Sequence, residues 1–207
     1  MGFNPPVLQD LTFLVSNKRL RGAGGILSNA MGRHLQDCSG GKSLGRPDRC
    51  NIRLGPPVRS VLETRQAGVI VQKWETSCAA AALATVLTFS LGTPVTEKYV
   101  AQRMLRSTDP IKVKVRGGFS FLDMKRFAEA HGFKGTGYNG LTFEEALELP
   151  SPIVPIDFYG NAHFVVLRGL DAEGRVNLAD PAYGNTTMSQ DAFKAVWSGG
   201  LGFVVSR

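Results

Sequence analysis

No stretch of about eighteen or more apolar residues occurs in the 207-residue sequence, so it offers no candidate for a transmembrane helix. Cysteine is scarce, at three residues, which excludes a disulfide-built scaffold. There is no internal repeat and no low-complexity tract. Charged residues make up 20% and hydrophobic residues 43%, a balance that excludes global disorder and allows a sizeable core. The short apolar run Leu11–Val15 is too brief for a signal-peptide core, and no export signal is read here.

What is plentiful is positive charge. The formal net charge is +7, which taken whole invites a nucleic-acid reading. Its distribution argues otherwise. Residues 1–66 hold 10 Lys/Arg against 4 Asp/Glu, and residues 67–207 hold 14 against 13. Basic residues are not interleaved with aromatics as single-strand binding requires, so no nucleic-acid partner is expected. The first third is broken at short intervals by turn signals such as Asn4-Pro5-Pro6, Gly22-Ala23-Gly24-Gly25 and Gly55-Pro56-Pro57. We read residues 1–57 as a basic, Gly/Pro-rich, disordered extension and 58–207 as the folded domain.

From Val69 onward the pattern becomes regular, led into from residues 58–66. A short helix is expected over Val58–Gln66. Cys78–Leu91 is apolar almost all round, as in a helix buried within a core, with Thr76 or Ser77 as its cap. Further helices are expected over Thr96–Arg106, Ser120–His131 and Thr142–Leu149, the last with a Thr142/Glu145 capping box. Lys112–Arg116 alternates like an exposed edge strand. Strands are expected at Ile153–Phe158, His163–Leu170, Arg175–Asp180 and Leu201–Ser206, with a helix at Ser189–Trp197. Helices first and strands second indicate an α+β domain with an antiparallel sheet.

The chemistry centres on Cys78. At the start of a buried helix, unpaired N–H groups and the positive dipole end favour a thiolate. The plainer reading is a small buried hydrophobe. His163 changes that balance. If the hairpin is symmetric about the turn Asp171–Gly174, opposed residue numbers sum to 345. His163, Val165, Leu167, Val176, Leu178 and Asp180 then share one face, with Asp180 diagonal to His163. Diagonal neighbours stand roughly 7–8 Å apart at Cα, within side-chain reach. An imidazole oriented by Asp180 and acting on Cys78 is a papain-type arrangement. Gln72, six residues before Cys78, can donate its amide to an oxyanion together with the Cys78 backbone N–H. The alternative is a core histidine satisfied by a buried acid.

Three segments carry a resemblance: Gln72-Lys73-Trp74-Glu75-Thr76-Ser77-Cys78-Ala79-Ala80, Gly160-Asn161-Ala162-His163-Phe164, and Leu178-Ala179-Asp180-Pro181-Ala182-Tyr183-Gly184. Together they resemble the successive motifs of the C39 peptidases. More particularly, the chain is similar to the stand-alone C39-like proteins encoded with Fap functional-amyloid export systems. The resemblance covers about residues 58–207. It implies a papain-like cysteine peptidase fold, with a helical half carrying a buried nucleophile helix against an antiparallel sheet. It further implies cleavage after a small residue, Gly-Gly, in a leader or exported protein of amyloid or bacteriocin-like type. By it Cys78 is the nucleophile, His163 the base and acid, Asp180 the orienting group and Gln72 part of the oxyanion hole. It also implies export machinery in the membrane as a partner and the cell envelope or periplasm as the compartment.

The family's usual Asp-Cys-Gly is Ser77-Cys78-Ala79 here. A methyl at Ala79 near the oxyanion pocket would narrow it. That keeps open a C39-like module that binds a leader or export partner without cutting. No cofactor or metal is expected. His34, Cys38 and Cys50 fit no common zinc spacing. Gly41-Lys42-Ser43 has Gln36 where a phosphate loop needs glycine. Trp74 and Tyr183 flank the proposed site in sequence and are candidates for lining a substrate groove. Gly24-Gly25 and Gly40-Gly41 are glycine pairs within the chain itself.

Overall fold

The computed structural model describes residues 59–158 and 160–207. The expected extension over 1–57, with His34, Cys38, Cys50 and the two glycine pairs, lies outside them. The described chain begins at a short helix, α1 (Val61–Gln66), capped by Ser60 through a capping box with Glu63. A loop leads to α2 (Cys78–Thr85), all of whose residues are buried. It continues as one wide turn of π-helix over Val86–Ser90, with the Leu91 N–H on the Val86 carbonyl, and Gly92 at φ 65 follows. The helix expected over Cys78–Leu91 is therefore present, but not α-helical throughout.

α3 (Glu97–Ser107) starts at Thr96, whose side chain accepts the Tyr99 N–H. α5 (Phe121–Ala130) starts at a capping box of Ser120 and Asp123 and ends at His131. The imidazole of His131 bonds the Phe127 carbonyl through Nδ1 at 2.7 Å, satisfying the helix end as a terminal histidine can. α4 (Pro110–Arg116) corrects the expected edge strand at 112–116. Asp109 caps the Ile111 N–H, Pro110 presets the first turn, and Gly117 ends the helix at φ 77. These start and stop signals outweigh the two-residue alternation of Lys and Val.

The six-stranded sheet runs in the order β1-β6-β2-β3-β4-β5 and is antiparallel throughout. Its strands are β1 (Lys134–Tyr138), β2 (Ile153–Phe158), β3 (Asn161–Leu170), β4 (Val176–Asp180), β5 (Gly184–Met188) and β6 (Gly202–Ser206). α6 (Phe143–Glu148) and α7 (Gln190–Val196) complete the domain. The sheet was expected; its outer strands β1 and β5 were not. Both are rich in glycine or polar residues, which depresses strand propensity. In β1 the glycine is required: a Cβ on Gly135 would stand 2.8 Å from Phe203 Cζ and 3.1 Å from Lys125 Cα.

Helices cover both faces of the sheet. α2, α3 and α5 pack over Ile153, Val166, Ala179, Phe203 and Val205. α6 and α7 pack over Val154, Ile156, Val165, Leu167, Val176 and Leu178. The five alanines of α2, each 0% exposed, let its backbone lie close to the sheet and to α3. The β3–β4 ladder opposes Val166 to Ala179 and Leu167 to Leu178, each pair summing to 345. After a bulge between Leu167 and Gly169 the register shifts by one, opposing Gly169 to Asn177 and Leu170 to Val176. The bulge lies toward the turn, so the register at the other end of the hairpin, where His163 and Asp180 stand, is the symmetric one.

Candidate active site

Four segments meet at one end of the β3–β4 pair. Cys78 opens α2 and is 7% exposed. His163 lies on the part of β3 that runs beyond its ladder with β4, and Asp180 is the last residue of β4. The imidazole Nε2 is 2.7 Å from Asp180 Oδ1. Cys78 borders the same cavity as His163 and lies near enough to raise its proton affinity. With Nε2 committed to Asp180, the nitrogen left to exchange a proton with Cys78 is Nδ1. Cys78, His163 and Asp180 thus meet at one place, although α2 itself lies over the opposite face of the sheet from Val165 and Leu178.

Asp180 is held in place by its own turn. The same Oδ1 accepts the Ala182 N–H at 2.7 Å and the Tyr183 N–H at 3.4 Å. An anion so pinned cannot swing away from the imidazole. Burial by itself would lower the pKa of His163. The hydrogen bond to Asp180, the nearness of Cys78 and the charge of the carboxylate outweigh it and lift the pKa from 6.5 to about 9. The histidine is therefore built to hold a proton beside sulfur.

The segment entering α2 is fixed from two sides. The Gln72 N–H donates to the Pro181 carbonyl at 2.8 Å, tying it to the residue after Asp180. On the other side stands Glu97, the first residue of α3 and only 3% exposed. Its Oε1 accepts the Lys73 N–H at 2.8 Å and lies 2.5 Å from Ser77 Oγ. This corrects the expectation that Thr76 or Ser77 caps α2 with its side chain. Ser77 occupies the cap position without a capping hydrogen bond, because its hydroxyl is shared between Glu97 and the Trp74 carbonyl. Sequence reasoning did not single out Glu97. Its only signal was an acid directly after a helix cap, which is commonplace.

Gln72 reaches the site through its backbone. Its amide Nε2 donates to the Trp74 carbonyl at 3.2 Å, and its buried Oε1 has no partner among the described residues. The amide carries a second N–H, and Gln72 is not among the residues lining the cavities at Cys78.

Two cavities share Cys78 as a wall. One is a narrow apolar slot of about 70 Å³, lined by Phe119, Phe121, Phe164, Pro155 and Leu201 beside Gly117-Gly118. The other, about 300 Å³, is more polar and is lined by Glu75, Asn161, His163, Ala182 and Tyr183. Arg116 and Gly117 border both. Tyr183 thus lines a groove at the site, as the sequence suggested, and Trp74 lines neither cavity. Ala79 also lines neither, since its side chain is packed in the core with 0% exposure. A chain passing over Cys78 would lie between an apolar side and a polar side.

Comparison with known proteins agrees with this architecture. Residues 66–207 match the model of the peptidase C39 family. The chain is 41% identical over 143 residues to the "probable functional amyloid protease FapD" of Pseudomonas aeruginosa and 38% identical to that of Pseudomonas fluorescens. Each match takes in 69% of this chain and 62% of the relative, so the matched chain spans under two thirds of these relatives. Among solved structures, a double glycine motif protease from an AMS/PCAT transporter, in complex with its leader peptide, superposes with TM-score 0.54 at 25% identity. That match covers 67% of this chain and 89% of the other. The peptidase domain of Streptococcus ComA, a bi-functional ABC transporter, shares the fold with TM-score 0.54 at 20% identity over 67% of this chain and 96% of its own.

Proposed function

The chain belongs to the peptidase C39 family, and we propose that it acts as a cysteine endopeptidase cutting after a small residue, Gly-Gly, in the leader of an exported protein. The observation that carries this reading is the hydrogen-bonded His163–Asp180 pair beside Cys78 at the junction of two cavities. His163 takes the thiol proton on Nδ1, leaving a thiolate beside an imidazolium. The thiolate attacks the scissile carbonyl, and its electron pair forms the carbon–sulfur bond while the carbonyl pair moves to oxygen. The Cys78 backbone N–H receives that oxyanion, and the Gln72 amide would join it on turning from the Trp74 carbonyl toward Cys78. Its collapse breaks the carbon–nitrogen bond, and the leaving amine departs with the proton from His163. Neutral His163 then withdraws a proton from water, which attacks the thioester and returns the thiol. Asp180 keeps Nε2 protonated throughout and so fixes the tautomer.

The alternative of capture without cleavage rested on Ala79. Packing of that methyl in the core, away from both cavities, favours cleavage. The name of the transporter protease supports a Gly-Gly substrate. The names of the Pseudomonas relatives support a functional amyloid as that substrate, and the transporter to which the double glycine motif protease belongs supports export machinery as partner, with the cell envelope as the setting such a role would have. The test is to incubate the chain with a Gly-Gly leader peptide, following products by mass, beside Cys78→Ala. Cleavage after the glycine pair that disappears in Cys78→Ala is expected. Rapid alkylation of Cys78 without any peptide turnover would replace the peptidase with the binding module.

A further inference from the structure

The folded domain is nearly neutral in sum but strongly divided. Residues 97–134, which carry α3, α4 and α5, hold nine Lys/Arg against four Asp/Glu, whereas residues 135–207 hold four against eight. Positive charge is therefore concentrated on the helical layer. Within that layer α4 has an unusual outer face. Val113 is 6% exposed and anchors the helix to the core. Two positions either way is about 200° around an α-helix, so Ile111 and Val115 point straight out. They are 71% and 65% exposed. Lys112 and Lys114 stand about 100° from Val113 on either side, flanking that apolar ridge with exposed cations.

We propose that α4 docks the domain on an anionic phospholipid bilayer, with Ile111 and Val115 entering the headgroup boundary and Lys112 and Lys114 lying among lipid phosphates. An aliphatic ridge between long cations is the arrangement of interfacial helices, where lysine stems reach up past the apolar layer. Protein interfaces instead favour arginine and aromatics and are depleted in lysine. Arg103 and Arg106 of α3 and Arg126 of α5 line a groove of about 320 Å³, placing further cations on the same layer. Docking would also orient the site, because Arg116 and Gly117, at the end of α4, border both cavities at Cys78. The inference stands on this surface and not on the chemistry at Cys78.

The test is flotation of the full chain with vesicles of phosphatidylcholine alone or with about 30 mol% phosphatidylglycerol, whose negative surface potential attracts basic segments. Binding to the anionic vesicles only, weakened by salt, is expected. At about fivefold per cation, Lys112→Gln/Lys114→Gln lowers partitioning about 25-fold. Ile111→Ser/Val115→Ser, with charge unchanged, lowers it about tenfold. All four side chains are exposed, so equal melting temperatures confirm that the variants fold. Vesicle binding untouched by either double substitution would overturn the proposal, since the basic residues 1–66 would then carry it. So would retention on a soluble polyanion such as heparin without flotation on vesicles, which would assign the face to an acidic polymer.

Discussion

Replacing Asp180 by Asn tests the electrostatics of the site most sharply. The carboxylate raises the pKa of His163 by a hydrogen bond and by its charge, and its hydrogen bond is the largest of the influences that oppose burial. The rise from 6.5 to about 9 is worth roughly 3 kcal/mol in favour of the imidazolium. Asn keeps an acceptor oxygen for the Ala182 N–H, so the turn should survive, but the charge is gone. If the His163 pKa returns to about 6.5, the imidazolium fraction at pH 8 falls from roughly 0.9 to roughly 0.03, about thirtyfold. At pH 6 the same change costs less than about twofold. The assay is kcat/KM for a leader peptide across pH 5.5–10 for both forms. The parent should lose activity only as pH rises through about 9, and Asp180→Asn should lose it well below. An equal loss at pH 6 and pH 8, with the basic limb unmoved, would refute the argument that Asp180 sets the proton affinity of His163.

Three further outcomes follow from the same structure. Because His163 binds its proton more tightly folded than at its ordinary 6.5, its contribution to stability is complete below about 6.5 and is lost as pH rises through about 9. Melting temperature should therefore fall over that window, and the fall should be smaller in His163→Gln. Glu97→Ala strands the Lys73 N–H and leaves the Ser77 hydroxyl only the Trp74 carbonyl, which should cost about 1–3 kcal/mol in denaturant titrations. It should also lower kcat more than it raises KM, with Glu97→Gln restoring much of both; a silent Glu97→Ala would remove it as a support of the nucleophile loop. Gly135→Ala should lose about 1–3 kcal/mol, because Lys125 Cα is backbone and cannot yield, while activity per folded molecule stays unchanged.

Much of this site was legible before any coordinates. The parity of β3 and β4 placed Val165, Leu167, Val176 and Leu178 on a common face, and they share one core cluster. The symmetric register put Asp180 diagonal to His163, and the two now lie 2.7 Å apart. Local pattern suffices there because a hairpin joins neighbours through a short turn. It failed where local signals conflict or tertiary contacts decide. The alternation over 112–116 concealed α4, whose start and stop chemistry was the better guide. β1 and β5 gain their pairing from distant partners rather than from their own propensity. The Ser77 hydroxyl is claimed by Glu97, 20 residues away in sequence, a contact that no spacing rule announces. The amide of Gln72 likewise turns to Trp74 for reasons visible only in three dimensions.

The central claim is that Cys78 forms the bond to substrate. The most direct measurement is the intact mass of the chain, quenched in acid during turnover of a Gly-Gly leader peptide. The account predicts an added mass equal to the leader segment ending in the glycine pair less one water, as a thioester at Cys78, missing from both Cys78→Ala and iodoacetamide-treated protein. Cleavage at an undiminished rate in Cys78→Ala, with no adduct on the parent chain, would contradict it.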